Sequence, residues 1–162
     1  MFHPMHIPTL YLDTSVVGGY FDDEWKDATK ELWRQMEQGL FRFTTSVIMS
    51  QELIKAPESV QDLFARTFAS PEMILDVTDE MDDLAAAYIQ KAVLPPKYTD
   101  DARHVAVCVV SRADYLVSWN FKHLVNVNRS DAFNAVNLLQ GYQPVRIVNP
   151  LELIYGRQNK EL

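Results

Sequence analysis

Apolar residues in this chain fall into short continuous runs that alternate with longer stretches at helical spacing. The first run is Thr9–Leu12, a strand stopped by Asp13-Thr14-Ser15, with Gly18 and Gly19 read as a permissive loop. Asp27 is placed to cap a helix carrying Ala28, Leu32 and Met36 on one face, and Gly39 is its C-terminal stop. Phe41 to Ser46 alternates as a second strand, after which Ser46 or Ser50 opens a helix that contains Glu52 and breaks near Pro57. A helix resumes over 58–69 through Val60, Leu63, Phe64 and Phe68, and Pro71 separates it from a third strand over 73–77. Thr78 or Asp79 then caps a helix with Met81, Leu84, Ala85, Tyr88 and Ile89 inward.

The stretch 98–124 organises the rest. Thr99 reads as an N-cap, Asp100 and Asp101 as acids of a first turn, and Ala102, Val105, Ala106 and Val109 as one apolar face reaching about 112. Tyr115-Leu116-Val117 is a short strand ending at Ser118-Trp119-Asn120. A helix that precedes a parallel strand starts at the edge where that strand finishes, so Asp101 and Asn120 return to one edge. Reaching that edge requires a long loop. A helix over 79–92 is about 21 Å long, and the eight residues 93–100, if extended, span roughly 26 Å. Beyond the unit, Ser130 is placed to cap a helix through Ala132, Phe133, Val136 and Leu139, stopped by Gly141. Val145–Val148 is the last strand, Asn149-Pro150 ends it, 151–155 reads as a closing turn, and 156–162 is expected to fray. This alternation predicts a single domain over 1–162, with a core of about 9–150. Its fold class is α/β, a three-layer α/β/α arrangement with a mostly parallel sheet of about five strands.

Charge and composition narrow the chemistry. The net charge of −7 argues against coating nucleic acid through bulk electrostatics, but not against a local basic rim. Cys108 is the lone cysteine and lies inside an apolar run, so no intramolecular disulfide forms and the thiol is expected to be buried. Met1–Pro8 lacks the basic and apolar regions of a signal peptide, and no apolar run spans a bilayer, so a cytoplasmic setting without membrane attachment is expected.

Asp13, Glu52, Asp101 and Asn120 fall at strand ends or beside helix starts on what would be the C-terminal edge of the sheet. Three carboxylates brought together repel unless a cation joins them. Oxygen donors of this hardness suit Mg²⁺ or Mn²⁺. Singly, each has a plainer reading: Asp13 as a turn residue, Glu52 as a helix-surface acid, Asp100 and Asp101 as helix-capping charges, Asn120 as a loop amide. Thr14, Ser15 and Ser118 are expected to satisfy local backbone amides, His104 and His123 not to be ligands, and Trp119 to pack rather than present a base-stacking face. Arg103, Lys122, Lys55 and Lys97 are the candidates for a basic rim.

In their order and spacing these segments resemble the PIN domain, a compact metal-dependent nuclease family that includes toxin ribonucleases of toxin–antitoxin pairs. Tyr11-Leu12-Asp13-Thr14-Ser15 resembles its first strand and acid, Glu52-Leu53 the second acid early in a helix, and Asp101-Ala102-Arg103-His104-Val105-Ala106 the third. Ala113 to Leu124 resembles the segment that often carries a fourth acid, where this chain has Asn120. The resemblance spans roughly 9 to 150. It implies a metal-dependent endoribonuclease with Asp13, Glu52, Asp101 and Asn120 as catalytic and metal-binding residues around Mg²⁺ or Mn²⁺. It further implies an RNA substrate, a cognate antitoxin and a homodimer. The alternative is a PIN-like protein- or RNA-binding module with weak or no catalysis, motivated by Asn120 and the acidic net charge. A generic nucleotide-binding protein is disfavoured because neither G-x-G-x-x-G nor G-x-x-x-x-G-K-[ST] occurs. Aspartyl-phosphate chemistry is disfavoured because Ser15 stands where a second acid would follow Asp13.

Overall fold

Thr9–Leu12 (β1) is the central strand of a five-stranded sheet, and every ladder in that sheet is parallel. The computed structural model describes residues 6–155; the expected fraying of 156–162 lies outside them. With Arg42–Ser46 (β2), Ile74–Leu75 (β3), Tyr115–Val117 (β4) and Ile147–Val148 (β5), the strand order is β3-β2-β1-β4-β5. Leu10 is in register with Phe43 on one side and Tyr115 on the other, and Leu12 with Val117.

The helices are Thr14–Gly19 (α1), Lys26–Glu37 (α2), Val47–Glu52 (α3), Glu58–Thr67 (α4), Asp79–Gln90 (α5), Thr99–Ser111 (α6), Val127–Leu139 (α7) and Pro150–Leu153 (α8). Alternation along β1 sends Leu10 and Leu12 into a core with α1, α2 and α4, and Tyr11 into a second core with α5, α6 and α7. Burial on both faces explains why these strands read as continuous apolar runs. The result is the three-layer α/β/α architecture expected from the sequence. Among the described residues no helix is long and apolar enough to cross a membrane.

Several local expectations are corrected. Gly18 and Gly19 close α1 instead of forming a loop, because buried Val16 and Val17 draw the turn into the core. A Cβ on Gly19 would lie 2.5 Å from the Trp119 ring, so this glycine serves close packing. The helix expected from Asp27 starts at Lys26, with Asp27 in its first turn. Ser46, not Ser50, caps α3 by accepting from the Ile48 amide. The third strand shrinks to Ile74–Leu75 because Pro71–Met73 coils into a 3₁₀ turn. The loop 93–100 is not fully extended: Val93 and Leu94 are buried and Pro96–Tyr98 forms another 3₁₀ turn.

Thr99 is the first residue of α6 instead of its cap, and its hydroxyl donates to the Pro96 carbonyl. Asn126, not Ser130, caps α7 by accepting from the Arg129 amide. Leu139 is 74% exposed, because α7 buries Phe133, Val136 and Asn137, the last bonded to the Tyr88 hydroxyl. The last strand keeps only Ile147–Val148 of the expected 145–148.

Candidate active site

Strand order reverses at β1, from which the chain builds outward first to β2 and later to β4. Open parallel sheets bind ligands at such a switch point, beyond the C-terminal strand ends. Asp13 directly follows β1, Ser118 to Asn120 directly follow β4, and Asp101 lies in the first turn of α6. Glu52 was expected early in its helix but is the last residue of α3; that helix is only six residues long, so its end stays near the same edge.

Asp13 is 4% exposed and holds both loops together. Ser15 Oγ donates to Oδ1 at 2.6 Å and Ser118 Oγ donates to Oδ2 at 2.5 Å. Each serine also accepts a backbone amide, Trp119 N–H on Ser15 and Asn120 N–H on Ser118, both at 2.9 Å. Ser118 satisfies a local amide, as expected, whereas Ser15 takes an amide 104 positions away and Thr14 bonds Glu52 instead; both serines also orient Asp13. Burial pushes the pKa of Asp13 up, and the charge of Asp101 adds to this; His104 and the two serines pull it down without overcoming burial.

Glu52 is oriented by Thr14 and His104. Thr14 Oγ1 donates to Oε1 at 2.7 Å, and His104 Nε2 meets the same oxygen at 2.7 Å. His104 is 2% exposed, and its Nδ1 lies 2.7 Å from the Tyr11 hydroxyl, which in turn lies 2.7 Å from Ser46 Oγ. An ionised carboxylate only accepts, so Nε2 carries the proton toward Glu52. The Tyr11 hydroxyl bridges the other ring nitrogen to Ser46 Oγ. Burial raises the pKa of Glu52, but the bond and charge of His104, the Thr14 hydroxyl and Arg103 together bring it below the usual carboxylate range. Burial likewise pushes the Tyr11 phenol up, keeping it neutral.

Asp101 Oδ2 is 3.1 Å from His123 Nδ1 and 3.5 Å from Asn120 Nδ2. Burial pushes its pKa up; the bond from His123 and the charge of His104 lower it, Glu52 raises it, and the net shift is upward. The Asn120 amide oxygen accepts the His123 backbone N–H at 2.9 Å, so this residue caps the turn after β4 while its amide nitrogen faces Asp101. His123 also packs its ring on Tyr98, with centroids 3.9 Å apart.

The partners His104, His123 and Tyr11 escaped the sequence reading as members of the site. A signal was present: a histidine inside the apolar face of α6 must find a buried polar partner. Of the rim candidates, Arg103 pairs with Asp82 at 3.1 Å and with Asp100 at 3.2 Å. Lys55 and Lys122 form no ion pair among the described residues, and Lys97 lies over the Tyr98 ring. Trp119 packs as expected, stacked on Trp25 at 4.3 Å with Nε1 donating to Thr29. A cavity of about 420 Å³ lined by Arg112, Tyr142 and Val145 lies at the far end of α6, away from the carboxylates.

Among the described residues no group of three or more His, Cys, Asp or Glu stands in an arrangement that could hold a metal ion. The side chains are turned into protein hydrogen bonds: both oxygens of Asp13, Oε1 of Glu52 and Oδ2 of Asp101. By type the donors are all oxygens, the kind a hard divalent cation takes. The carboxylates sense one another: the charge of Asp101 adds to the raised pKa of Asp13, and that of Glu52 to the raised pKa of Asp101.

No family model matches the chain, and no curated protein matches it. Among solved structures, a chain in "Structure of FitAB bound to IR36 DNA fragment" is similar, with a TM-score of 0.49 and 16% sequence identity. The alignment covers 87% of this chain and 94% of that one. The likeness is in the course of the backbone and carries no residue-level correspondence.

Proposed function

We propose that this chain is a metal-dependent endoribonuclease of the PIN type, hydrolysing RNA phosphodiester bonds at the C-terminal edge of its sheet. The observation that carries the reading is the convergence of Asp13, Glu52 and Asp101 at the switch point, each oriented by its own hydroxyl or imidazole partner. These three would hold Mg²⁺ or Mn²⁺, with Asn120 beside Asp101. When bound, the cation supplies an acidified water and neutralises charge developing on the phosphodiester. The chain's own contribution is orientation. Ser15 and Ser118 hold Asp13, Thr14 and His104 hold Glu52, and His123 holds Asp101, so each carboxylate is kept at the edge and would exchange some of these bonds for the cation. Arg103, Lys55, Lys97 and Lys122 would hold flanking phosphates. The resemblance extends the proposal to a toxin role, with a cognate antitoxin and a homodimer as partners.

The test is cleavage of single-stranded RNA with Mn²⁺. Asp13→Asn, Glu52→Gln and Asp101→Asn should each abolish it. Asp100→Asn should retain it, because Asp100 is paired with Arg103. Activity surviving in all three variants would sink the proposal. A second reading, a binding module without catalysis, is favoured by the carboxylate oxygens already committed to protein hydrogen bonds and by the neutral Asn120. It expects RNA to bind uncleaved and Mn²⁺ to leave the melting temperature unchanged.

A further inference from the structure

We propose that Phe121, in contact with Trp25 and Trp119 and flanked by Lys122, is a stacking shelf for an unpaired nucleobase of single-stranded RNA beside the carboxylates. The inference rests on the nuclease reading and adds a substrate class to it.

Trp119 is 7% exposed and stacked on Trp25 at an interplanar angle of 18°, so it is too buried to receive a base itself. Phe121 is different. Its ring lies 5.6 Å from Trp25 and 6.1 Å from Trp119, yet the residue remains 42% exposed. A part-exposed ring in tilted contact with two indoles is held in place and offers an aromatic surface to a ligand. The turn that carries it is held on both sides. Asn126 Nδ2 donates to the Phe121 carbonyl at 2.9 Å and to the Lys122 carbonyl at 3.1 Å, while the Asn120 carbonyl accepts from the Leu124 and Val125 amides. Asn120 directly precedes the ring and reaches Asp101 through its side chain, so the shelf borders the site.

Charge points to a nucleotide. Lys122 follows the ring and forms no ion pair among the described residues. Tyr98 packs on His123, the partner of Asp101, with Lys97 over the Tyr98 ring. Aromatic faces alternating with cations are the means by which single strands are held without sequence readout. The chain's net charge of −7 repels a polyanion at long range, so a short-range term that salt does not screen would add to what local cations supply. Stacking is such a term, and it selects unpaired RNA, because bases in a duplex are already stacked on each other.

The experiment measures binding with divalent cations chelated, so no cleavage is needed. Three labelled probes are titrated by anisotropy: a single-stranded RNA of about eight nucleotides, a ribose-phosphate oligomer of the same length without bases, and the corresponding duplex. The single strand should bind tightest. Phe121→Ala should weaken it about 5- to 150-fold, the range expected for one lost stacked base, and leave the baseless oligomer unchanged. Phe121→Leu, which keeps apolar bulk but no π-face, should behave like Phe121→Ala, and Phe121→Trp like wild type. Equal binding of RNA and baseless oligomer, or wild-type affinity in Phe121→Leu, overturns the shelf. So does a surface that takes no RNA but is covered by a protein partner or second copy, seen as an increase in mass. A shelf that behaves as expected in a protein that never cleaves RNA with Mn²⁺ removes the nuclease reading alone. Cleavage in a protein indifferent to Phe121→Leu removes the shelf alone.

Discussion

His104 Nε2 stands 2.7 Å from Glu52 Oε1 while its Nδ1 stands 2.7 Å from the Tyr11 hydroxyl, so one imidazole joins an edge carboxylate to the central strand. Tyr11→Phe tests what this connection contributes. It leaves His104 Nδ1 and Ser46 Oγ each short of a buried partner, and should cost roughly 1–3 kcal/mol. Urea denaturation reads the cost. A midpoint equal to wild type would mean that the buried chain does not stabilise the fold.

The carboxylates predict an unusual pH response. In the folded state Asp13 and Asp101 bind protons more tightly than in the unfolded state. Their contribution to stability is therefore fully present below the unfolded carboxylate pKa and is lost as pH rises through their raised folded values. Glu52 acts oppositely: its contribution is present above the unfolded value and lost as pH falls through its depressed folded value. The metal-free protein should thus gain stability from these two aspartates on mild acidification from neutral pH, and Asp13→Asn should flatten that part of the profile. If Asp13→Asn and wild type show parallel melting-temperature profiles, the shift assigned to Asp13 is absent.

Ser118 should be the more costly of the two serines that bind Asp13. It is 0% exposed, donates to Asp13 and accepts the Asn120 amide, so Ser118→Ala strands a carboxylate oxygen and an N–H together. We expect about 2–3 kcal/mol of destabilisation from two such losses. Ser15→Ala, at a half-buried position where water can substitute, should cost about 1 kcal/mol. Chemical denaturation of the pair gives the order, and the reverse order would contradict the burial argument.

Asn120→Asp should separate stability from metal affinity. The new carboxylate can still accept the His123 amide, but its second oxygen would face Asp101 where Asn120 Nδ2 now lies 3.5 Å away. Like charges at that spacing should lower the melting temperature of the metal-free protein. Mn²⁺ should restore more stability to this variant than to wild type if the edge binds a cation. Identical Mn²⁺ responses would exclude Asn120 from any cation site.

The fold was legible where apolar periodicity was long or strictly alternating. Leu10, Tyr11 and Leu12 read as a buried parallel strand because both faces are covered, and α6 read as a helix because its small residues recur across several turns. Boundaries were less legible where side chains compete for backbone groups. Thr99 resembles a cap but donates to the Pro96 carbonyl, and Asn126 takes the capping role that Ser130 was expected to fill. At the site, the sequence brought Asp101 and Asn120 to one edge, and the structure joins them at 3.5 Å. It could not show that the Asn120 oxygen caps a turn, nor that Arg103 is held by Asp82, a contact across twenty-one positions. Such orientations are decided by tertiary neighbours, which spacing does not encode.

The outermost strands β3 and β5 are two residues long each. An incoming chain that tried to extend the sheet would find at most a pair of residues to template on, too little ladder to register against. Among the described residues the sheet edges therefore offer little template for strand addition, whether in fibrous self-association or in partner recognition. Recognition through side-chain surfaces on helices and loops is the alternative, and it is sensitive to point substitution in a way that backbone pairing is not.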